Sequence, residues 1–238
     1  MVRVAFLAAM PTELRPLARM LSLRRTALGG RPAYTGVLGD IEVVAAVTGM
    51  GPANATETTE WLLDAVAVDH LVNVGVAGGV SPKFKVRDLV MPERVVDRAT
   101  GEEFRPAPLG GHVGTGTLLT GADLEVDRAV HAALARDGVV ALDMETAAIA
   151  RACAARRVPW SVFRALSDHV DDELVDEAVL GLARADGSPD AGAVLRYVLR
   201  RPWHVTRLAR LGRDTSAATT MAARAAVEAV RSGFSASS

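Results

Sequence analysis

Short apolar runs alternate with amphipathic stretches along the chain. Val2–Ala9 is almost continuously apolar, which is typical of a strand buried on both faces. Similar runs predict strands at His70–Val76 and Trp160–Leu166. Apolar residues at helical spacing predict helices starting near Pro11 and over Ala53–Val66. Alternating strands and helices predict a central sheet with helices on both faces.

The other elements are predicted by weaker signals. Gly39 and Asp40 lie between two apolar runs and indicate a hairpin turn, and Thr12 is the expected N-cap of the first helix. The remaining predicted elements are strands at Ala33–Leu38, Ile41–Val47, Asp88–Val96, Thr115–Thr120 and Val139–Leu142, a helix at Glu145–Arg156, and a helical region from Val194 that Pro202 and Gly212 interrupt. We find neither a repeat nor a linker, so residues 1–238 are expected to form a single domain, with residues 190–233 as a helical C-terminal extension.

Composition narrows the function classes. Half of the 238 residues are apolar, which is enough for a substantial core. With 27 basic and 28 acidic residues, the net charge of −1 gives no reason to expect nucleic-acid binding. The one cysteine, Cys153, excludes an internal disulfide framework, and the five histidines lack the spacing of metal ligands, so no metal is expected. Without an apolar run of membrane-spanning length, we expect a cytoplasmic protein.

The positive charge is concentrated near the C-terminus. Residues 194–213 contain six arginines and no acidic residue, interleaved with leucine, valine and tryptophan. Two interpretations stay open. The segment is a core-packing helix pair with a solvated basic face, an amphipathic segment that contacts a membrane surface, or both.

Polar residues cluster where the predicted strands end. Glu13 follows the first strand, Gly78 follows the second buried strand, and Asp168 ends the strand that starts at Trp160. Asp143 and Glu145 lie at a strand-to-helix junction. Each of these residues alone is compatible with an ordinary cap or turn. Because ligands bind beyond the carboxyl ends of the strands in α/β sheets, their co-occurrence predicts one shared pocket.

These motifs resemble those of a known family. The segments TGMGP at 48–52, NVGVAGG at 73–79, DMETAAIA at 143–150 and RALSD at 164–168 resemble the nucleoside phosphorylase/nucleosidase superfamily. Ala9, Met10 and Glu13 make the start similar to the methylthioadenosine/S-adenosylhomocysteine nucleosidases. The resemblance extends from residue 2 to about residue 170. It implies a three-layer α/β fold with a central mixed sheet flanked by helices, a nucleoside substrate, no cofactor and a homodimer.

The resemblance also implies catalytic roles. Asp168 would protonate the adenine leaving group at N7, with Ser167 orienting its carboxyl group. Glu13 would activate the attacking water, and Arg164 would help to hold that water. Two carboxyl groups would thus act on opposite sides of one bond, as in inverting glycoside hydrolysis.

The remaining implied site residues would bind the substrate. Glu145 would accept hydrogen bonds from the ribose hydroxyls, and Met144 would pack beneath the sugar. Gly78 belongs to the glycine loop. Two positions depart from the pattern of the methylthioadenosine enzymes: Val76 replaces a serine, and Leu124 lies near the place of an aromatic residue that stacks on the base.

The nucleophile and the 5′ group are open to more than one interpretation. Related phosphorylases hold phosphate with arginines, including one just before the glycine loop, where this chain has Asn73. Because the Glu13 carboxylate would repel phosphate, we expect hydrolysis, with phosphorolysis or non-catalytic nucleoside binding as the alternatives. The segment LGRDT at 211–215 and the basic residues before it resemble the hopanoid-associated branch. This implies adenosylhopane, a lipid-linked nucleoside of hopanoid biosynthesis, as the preferred substrate and methylthioadenosine or S-adenosylhomocysteine as the next.

Overall fold

The fold was obtained as a computed structural model, which describes residues 1–122, 127–169 and 205–235. The strands are β1 (Arg3–Ala8), β2 (Arg24–Leu28), β3 (Arg31–Leu38), β4 (Ile41–Val47), β5 (His70–Gly79), β6 (Leu89–Val90), β7 (Arg94–Asp97), β8 (Glu103–Phe104), β9 (Thr117–Thr120), β10 (Val139–Asp143) and β11 (Trp160–His169). The helices are α1 (Pro11–Met20), α2 (Pro52–Ala65), α3 (Arg128–Arg136), α4 (Thr146–Arg156) and α5 (Val205–Ser235).

The described strands form one mixed sheet. Its order is β2-β3-β4-β1-β5-β10-β9-β7-β8, with β11 paired to β5 and β6 paired to β11. Strands β4, β1, β5 and β11 are parallel to their neighbours in this group, so their carboxyl ends lie at one edge. At the same edge, the last residues of β5 pair antiparallel with Ala141 and Leu142 of β10. Five chain segments therefore end close together, and they include the strand ends that carry the predicted site residues.

The two faces of the sheet carry separate apolar cores. Along β1, Val4, Phe6 and Ala8 pack with α1 and α5, whereas Ala5 and Leu7 pack with α2 and α4. Successive side chains of a strand point to opposite faces, and all five are fully buried, so β1 is covered on both sides. The predicted α/β architecture, with helices flanking a central mixed sheet, is confirmed.

Helix α5 covers one face through small side chains. Ala218, Ala222, Ala226 and Ala229 recur at intervals of three or four residues, and all four are fully buried. This stripe lets the helix backbone approach β5, β11 and α1 closely. In the described residues, none of the helices is both long and apolar enough to cross a membrane.

Some predicted boundaries are wrong for identifiable reasons. The expected strand at Asp88–Val96 is two strands, β6 and β7, separated around Pro92, which has no N–H to donate to a strand partner. Gly212 does not interrupt the C-terminal helix, because a helical glycine costs only about 1 kcal/mol and the alanine stripe that follows is tightly packed. The described residues do not include residues 190–204, among them Pro202, or most of the basic segment 194–213.

Other local features were misassigned or missed. Met10, not Thr12, is the N-cap of α1, and the Glu13 side chain accepts a hydrogen bond from the Met10 N–H. Strand β2 was not predicted, because its mostly exposed edge carries a polar sequence rather than an alternating one. Helix α3 was also missed, although Asp127 is a favourable N-cap and accepts a hydrogen bond from the Ala129 N–H.

Candidate active site

Four charged side chains meet at the carboxyl edge of the sheet. Glu13 comes from the first turn of α1, Asp143 from the end of β10, Glu145 from the N-cap of α4, and Arg164 from the middle of β11. Arg164 Nη2 lies 2.6 Å from Asp143 Oδ2 and 3.9 Å from Glu145 Oε2, and its Nη1 lies 3.9 Å from Glu13 Oε1. The four residues are at most 8% exposed. We call this group the Arg164 cluster.

Gly75 of β5 leaves the space in which this cluster forms. It pairs with Arg164 in the register of β5 and β11. A Cβ atom at this position would overlap with the Arg164 guanidinium and the Glu13 carboxylate. The position therefore requires glycine for close approach rather than for an unusual backbone angle. Sequence reasoning considered Gly78 and missed Gly75, although a glycine inside a buried strand is a signal of close contact.

Asp143 is the best-bonded carboxylate of the cluster. Its Oδ1 accepts a hydrogen bond of 2.7 Å from the Thr120 hydroxyl. Its Oδ2 accepts hydrogen bonds from the Thr146 hydroxyl and, at 2.6 Å, from Arg164. The Thr146 hydroxyl in turn accepts a hydrogen bond of 2.8 Å from the Asn73 side-chain amide. Strands β5, β9, β10 and β11 and helix α4 are thus joined through one buried polar network.

The Glu13 carboxylate is held by the backbone on both oxygens. Oε2 accepts a hydrogen bond of 2.9 Å from the Met10 N–H, and Oε1 accepts one of 2.8 Å from the Val76 N–H. Burial raises the pKa of Glu13 above its ordinary value, and the nearby Arg164 and the backbone N–H groups oppose this rise only in part. A fixed carboxyl group with a raised pKa is suited to accept a proton from water at neutral pH.

Glu145 is positioned by the loop before α2. Its Oε1 accepts a hydrogen bond of 2.8 Å from the Gly51 N–H. Gly51 has φ of +88°, a conformation that favours glycine, so this residue type aims the N–H at the carboxylate. Burial and the neighbouring Asp143 raise the pKa of Glu145 to about 7, although Arg164 and the Gly51 hydrogen bond oppose the rise.

Ser167 and Asp168 occupy the end of β11. An irregularity in the register after Leu166 aligns Asp168 with Gly78 of β5. The Ser167 hydroxyl donates a hydrogen bond of 2.5 Å to Asp168 Oδ1, and a Cβ on Gly78 would lie 3.7 Å from Asp168 Oδ2. Ser167 is buried and Asp168 is half-buried, and the Ser167 hydroxyl orients the Asp168 carboxyl group.

The structure brings most of the predicted site residues to one edge. The Val76 N–H donates a hydrogen bond to Glu13, and Gly78, two residues further along β5, faces Asp168. The Glu13 and Asp168 carboxyl groups therefore contact β5 at points roughly 7 Å apart along the strand. Met144 lies between the two carboxylates of the β10–α4 junction and is half-buried. Leu124 lies outside the described residues. Within the ranges that the structure describes, no group of three or more histidine, cysteine, aspartate or glutamate residues is arranged to hold a metal ion.

Comparisons of the sequence with known proteins identify its family. A family model described as "Phosphorylase superfamily" matches residues 3–118 and 109–200. A 5′-methylthioadenosine/S-adenosylhomocysteine nucleosidase from Exiguobacterium sp. is 31% identical over 203 residues, which cover 72% of this chain and 87% of that protein. The protein of the same name from Chromohalobacter salexigens is 33% identical, with 71% of this chain and 85% of that protein covered.

Solved structures of similar fold include two kinds of hydrolytic enzyme. The 5′-methylthioadenosine/S-adenosylhomocysteine nucleosidase from Neisseria meningitidis, in complex with methylthio-immucillin-A, superposes with a TM-score of 0.74 at 23% identity and covers 98% of this chain and 100% of its own. The native futalosine hydrolase of Helicobacter pylori gives a TM-score of 0.73 at 18% identity, with 96% and 97% covered. At this identity, the two structures support the fold.

Proposed function

This chain belongs to the phosphorylase superfamily and is an N-glycosyl hydrolase of the nucleosidase type, and we propose that its substrate is a 5′-substituted adenosine, from which it releases adenine. Two relatives that are more than 30% identical to this chain carry the name of such a nucleosidase. The proposal treats residues 1–238 as one catalytic domain.

The charge of the Arg164 cluster is the observation that most supports water, rather than phosphate, as the nucleophile. Three carboxyl groups surround one arginine, and all four side chains are at most 7% exposed. Charges interact more strongly in a poorly solvated site than in water, so this excess of acidic groups opposes a phosphate dianion. A neutral water molecule meets no such opposition, and the raised pKa of Glu13 suits that residue to take its proton.

The proposed reaction breaks the C1′–N9 bond and forms a C1′–O bond. Asp168, oriented by Ser167, gives a proton to adenine N7 as the base leaves. Glu13 takes a proton from the attacking water, which Arg164 helps to hold. The hydroxyl oxygen adds to the oxocarbenium-like C1′, so the products are adenine and the free 5′-substituted ribose.

The other proposed site residues hold the nucleoside. Glu145 keeps Oε2 available for the ribose hydroxyls because Gly51 occupies Oε1. Met144 packs beneath the sugar, Gly78 and Val76 line the pocket wall at the end of β5, and Leu124 contacts the base. A second copy of the chain completes the pocket in a homodimer.

The 5′ substituent divides the proposal into two versions. The relatives' names support methylthioadenosine or S-adenosylhomocysteine. The resemblance of residues 211–215 to the hopanoid-associated branch supports adenosylhopane, with residues 194–213 contacting the membrane surface from the cytoplasmic side. We prefer adenosylhopane and place the enzyme in hopanoid biosynthesis.

A substrate panel tests the reaction and the 5′ group together. Adenosine, methylthioadenosine, S-adenosylhomocysteine and a lipid-linked adenosine are incubated with the protein, with and without inorganic phosphate, and free adenine and the sugar product are measured. We expect adenine release without phosphate and a free sugar, with the fastest turnover on the lipid-linked nucleoside. A strict need for phosphate, with a sugar 1-phosphate as product, would establish phosphorolysis. Tight nucleoside binding without adenine release would establish a binding protein.

A further inference from the structure

Asp143 has more polar contacts than any other carboxylate of the Arg164 cluster, yet it has no direct role in the proposed reaction. Both of its oxygens are occupied by Thr120, Thr146 and Arg164. Its side chain is 2% exposed, so it has little surface to offer a substrate. Its contribution must therefore pass through the groups that it holds.

The position of Arg164 depends on Asp143. Arg164 Nη2 lies within hydrogen-bond distance of Asp143 and of the Thr146 hydroxyl, at 2.6 and 3.2 Å. Glu13 and Glu145 are each 3.9 Å away, which is beyond a direct hydrogen bond but close enough for a strong interaction of charges. Asp143 thus supplies the direct ionic bond, and the other two carboxyl groups face the same cation at longer range.

We propose that Asp143 is a positioning residue that holds the Arg164 guanidinium between Glu13 and Glu145 and neutralises most of its charge, so that neither of these carboxyl groups is locked in an ion pair. The inference rests on the proposed function, because it assigns to Glu13 and Glu145 their roles toward water and ribose. Arg164 consequently interacts only weakly with Glu13 and Glu145, so that the attacking water and the sugar can interact with these groups.

The charges around Arg164 predict what loss of the Asp143 charge does. Among the residues that the structure describes, three ionisable groups face the guanidinium: Asp143 from β10, Glu145 from the start of α4 and Glu13 from α1. Asp143 raises the pKa of Glu145, whereas Arg164 lowers it. Without the negative charge of Asp143, the effect that raises the pKa of Glu145 is lost and the lowering effect of Arg164 stays, so this pKa falls. We expect the pKa of Glu13 to fall as well, because the Arg164 charge that lowers it is then no longer offset by the ion pair with Asp143.

The test compares Asp143→Asn, Asp143→Glu and Thr120→Val. Asp143→Asn removes the charge and keeps the shape. Asp143→Glu keeps the charge and moves it. Thr120→Val removes the hydrogen bond that Thr120 donates to Asp143 and the one that it accepts from the Ala147 N–H, at nearly constant volume, and leaves the charge in place. For each variant, kcat and KM for the best nucleoside of the panel are measured from pH 5 to 9.

We expect Asp143→Asn to move the acid limb of the kcat/KM profile by about one pH unit toward lower pH, with at least about a tenfold loss of the plateau from a displaced Arg164. Asp143→Glu and Thr120→Val should lower the plateau and leave the acid limb in place. An unmoved acid limb in Asp143→Asn, or an equal shift in Thr120→Val, would overturn the proposal. If Asp143→Asn does not fold, a shifted acid limb in Asp143→Glu would overturn it equally.

A second readout needs no substrate and separates this inference from the proposed function. The carboxyl carbons of glutamate are labelled with carbon-13, and the signals of Glu13 and Glu145 are assigned with Glu13→Gln and Glu145→Gln. Their NMR titration should move to lower pH in Asp143→Asn and stay in place in Thr120→Val. If the wild type hydrolyses none of the nucleosides while these titrations move, the proposed function fails and the electrostatic role of Asp143 stands. If adenine is released while the titrations stay fixed, the proposed function stands and the electrostatic role of Asp143 fails.

Discussion

Replacing Arg164 with methionine should destabilise the folded protein strongly, and the loss should depend on pH. Methionine fills much of the same volume but removes the cation that Glu13, Asp143 and Glu145 face. Breaking a buried ion pair by removing one partner costs about 3–5 kcal/mol, because the other charge stays buried without compensation. The side chains of Arg164 and Asp143 are 1% and 2% exposed, so solvent compensates little. We expect a decrease of about 4 kcal/mol in the free energy of unfolding at pH 8.

The sign of the pH dependence follows from proton binding. In Arg164→Met, the buried carboxyl groups bind protons more readily in the folded than in the unfolded state, because no cation stabilises their charge. When the folded state binds more protons, the free energy of unfolding rises as the pH falls. The stability difference between wild type and variant should therefore shrink steadily from pH 8 to pH 5.

Urea unfolding at four pH values between 5 and 8 measures this difference. The matched control is Arg156→Met, which removes an arginine that is 29% exposed and 2.9 Å from Asp64. Because exposed ion pairs contribute about 0–1 kcal/mol, this control should lose less than about 1 kcal/mol at every pH. A loss below about 1 kcal/mol in Arg164→Met, or a loss that grows on acidification, would refute the reasoning.

Three further predictions concern the site. Asp168→Asn should abolish adenine release while the melting temperature stays near that of the wild type, and residual turnover would show that Asp168 is not the acid. Gly75→Ala would place a methyl group 2.9 Å from the Glu13 carboxyl carbon. It should therefore lower kcat by about 10- to 100-fold and decrease the free energy of unfolding by about 1–3 kcal/mol. A wild-type kcat in steady-state kinetics would contradict the close approach. Because the pKa of Glu145 is raised to about 7, its contribution makes the wild type less stable as the pH rises from about 4.5 to 7. Calorimetry should show a flatter pH dependence of stability in Glu145→Gln, and identical slopes in the two proteins would contradict this.

The elements that could be predicted from the sequence are those in which the residues of the element itself show the pattern of a buried strand or a turn. Strands β1, β5 and β11 are mostly apolar and buried on both faces, and the hairpin of β3 and β4 has glycine at its turn, so pattern and turn chemistry were sufficient. Strand β2 and helix α3 were missed because exposed edges and short polar helices carry little apolar periodicity.

The candidate site was predictable in its residue types but not in its pairings. Glu13, Glu145 and Asp168 follow from their places at strand and helix ends together with the family motifs. The structural role of Asp143 and the need for glycine at position 75 arise from contacts between β5, β10 and β11. These strands are distant in sequence, and no local pattern reports a distance of 2.6 Å across them.

The alanine stripe of α5 has a consequence for the synthesis of the chain. Val4, Phe6 and Ala8 of β1 leave the ribosome before the stripe that helps to cover their face, which begins only at Ala218. At about 5–20 residues per second, translation separates the two by roughly 10–40 s. During that interval, this face of the sheet has α1 but not α5 as cover and is more accessible to chaperones or to other nascent chains. Docking of α5 onto this face therefore cannot begin before Ala218 has been synthesised.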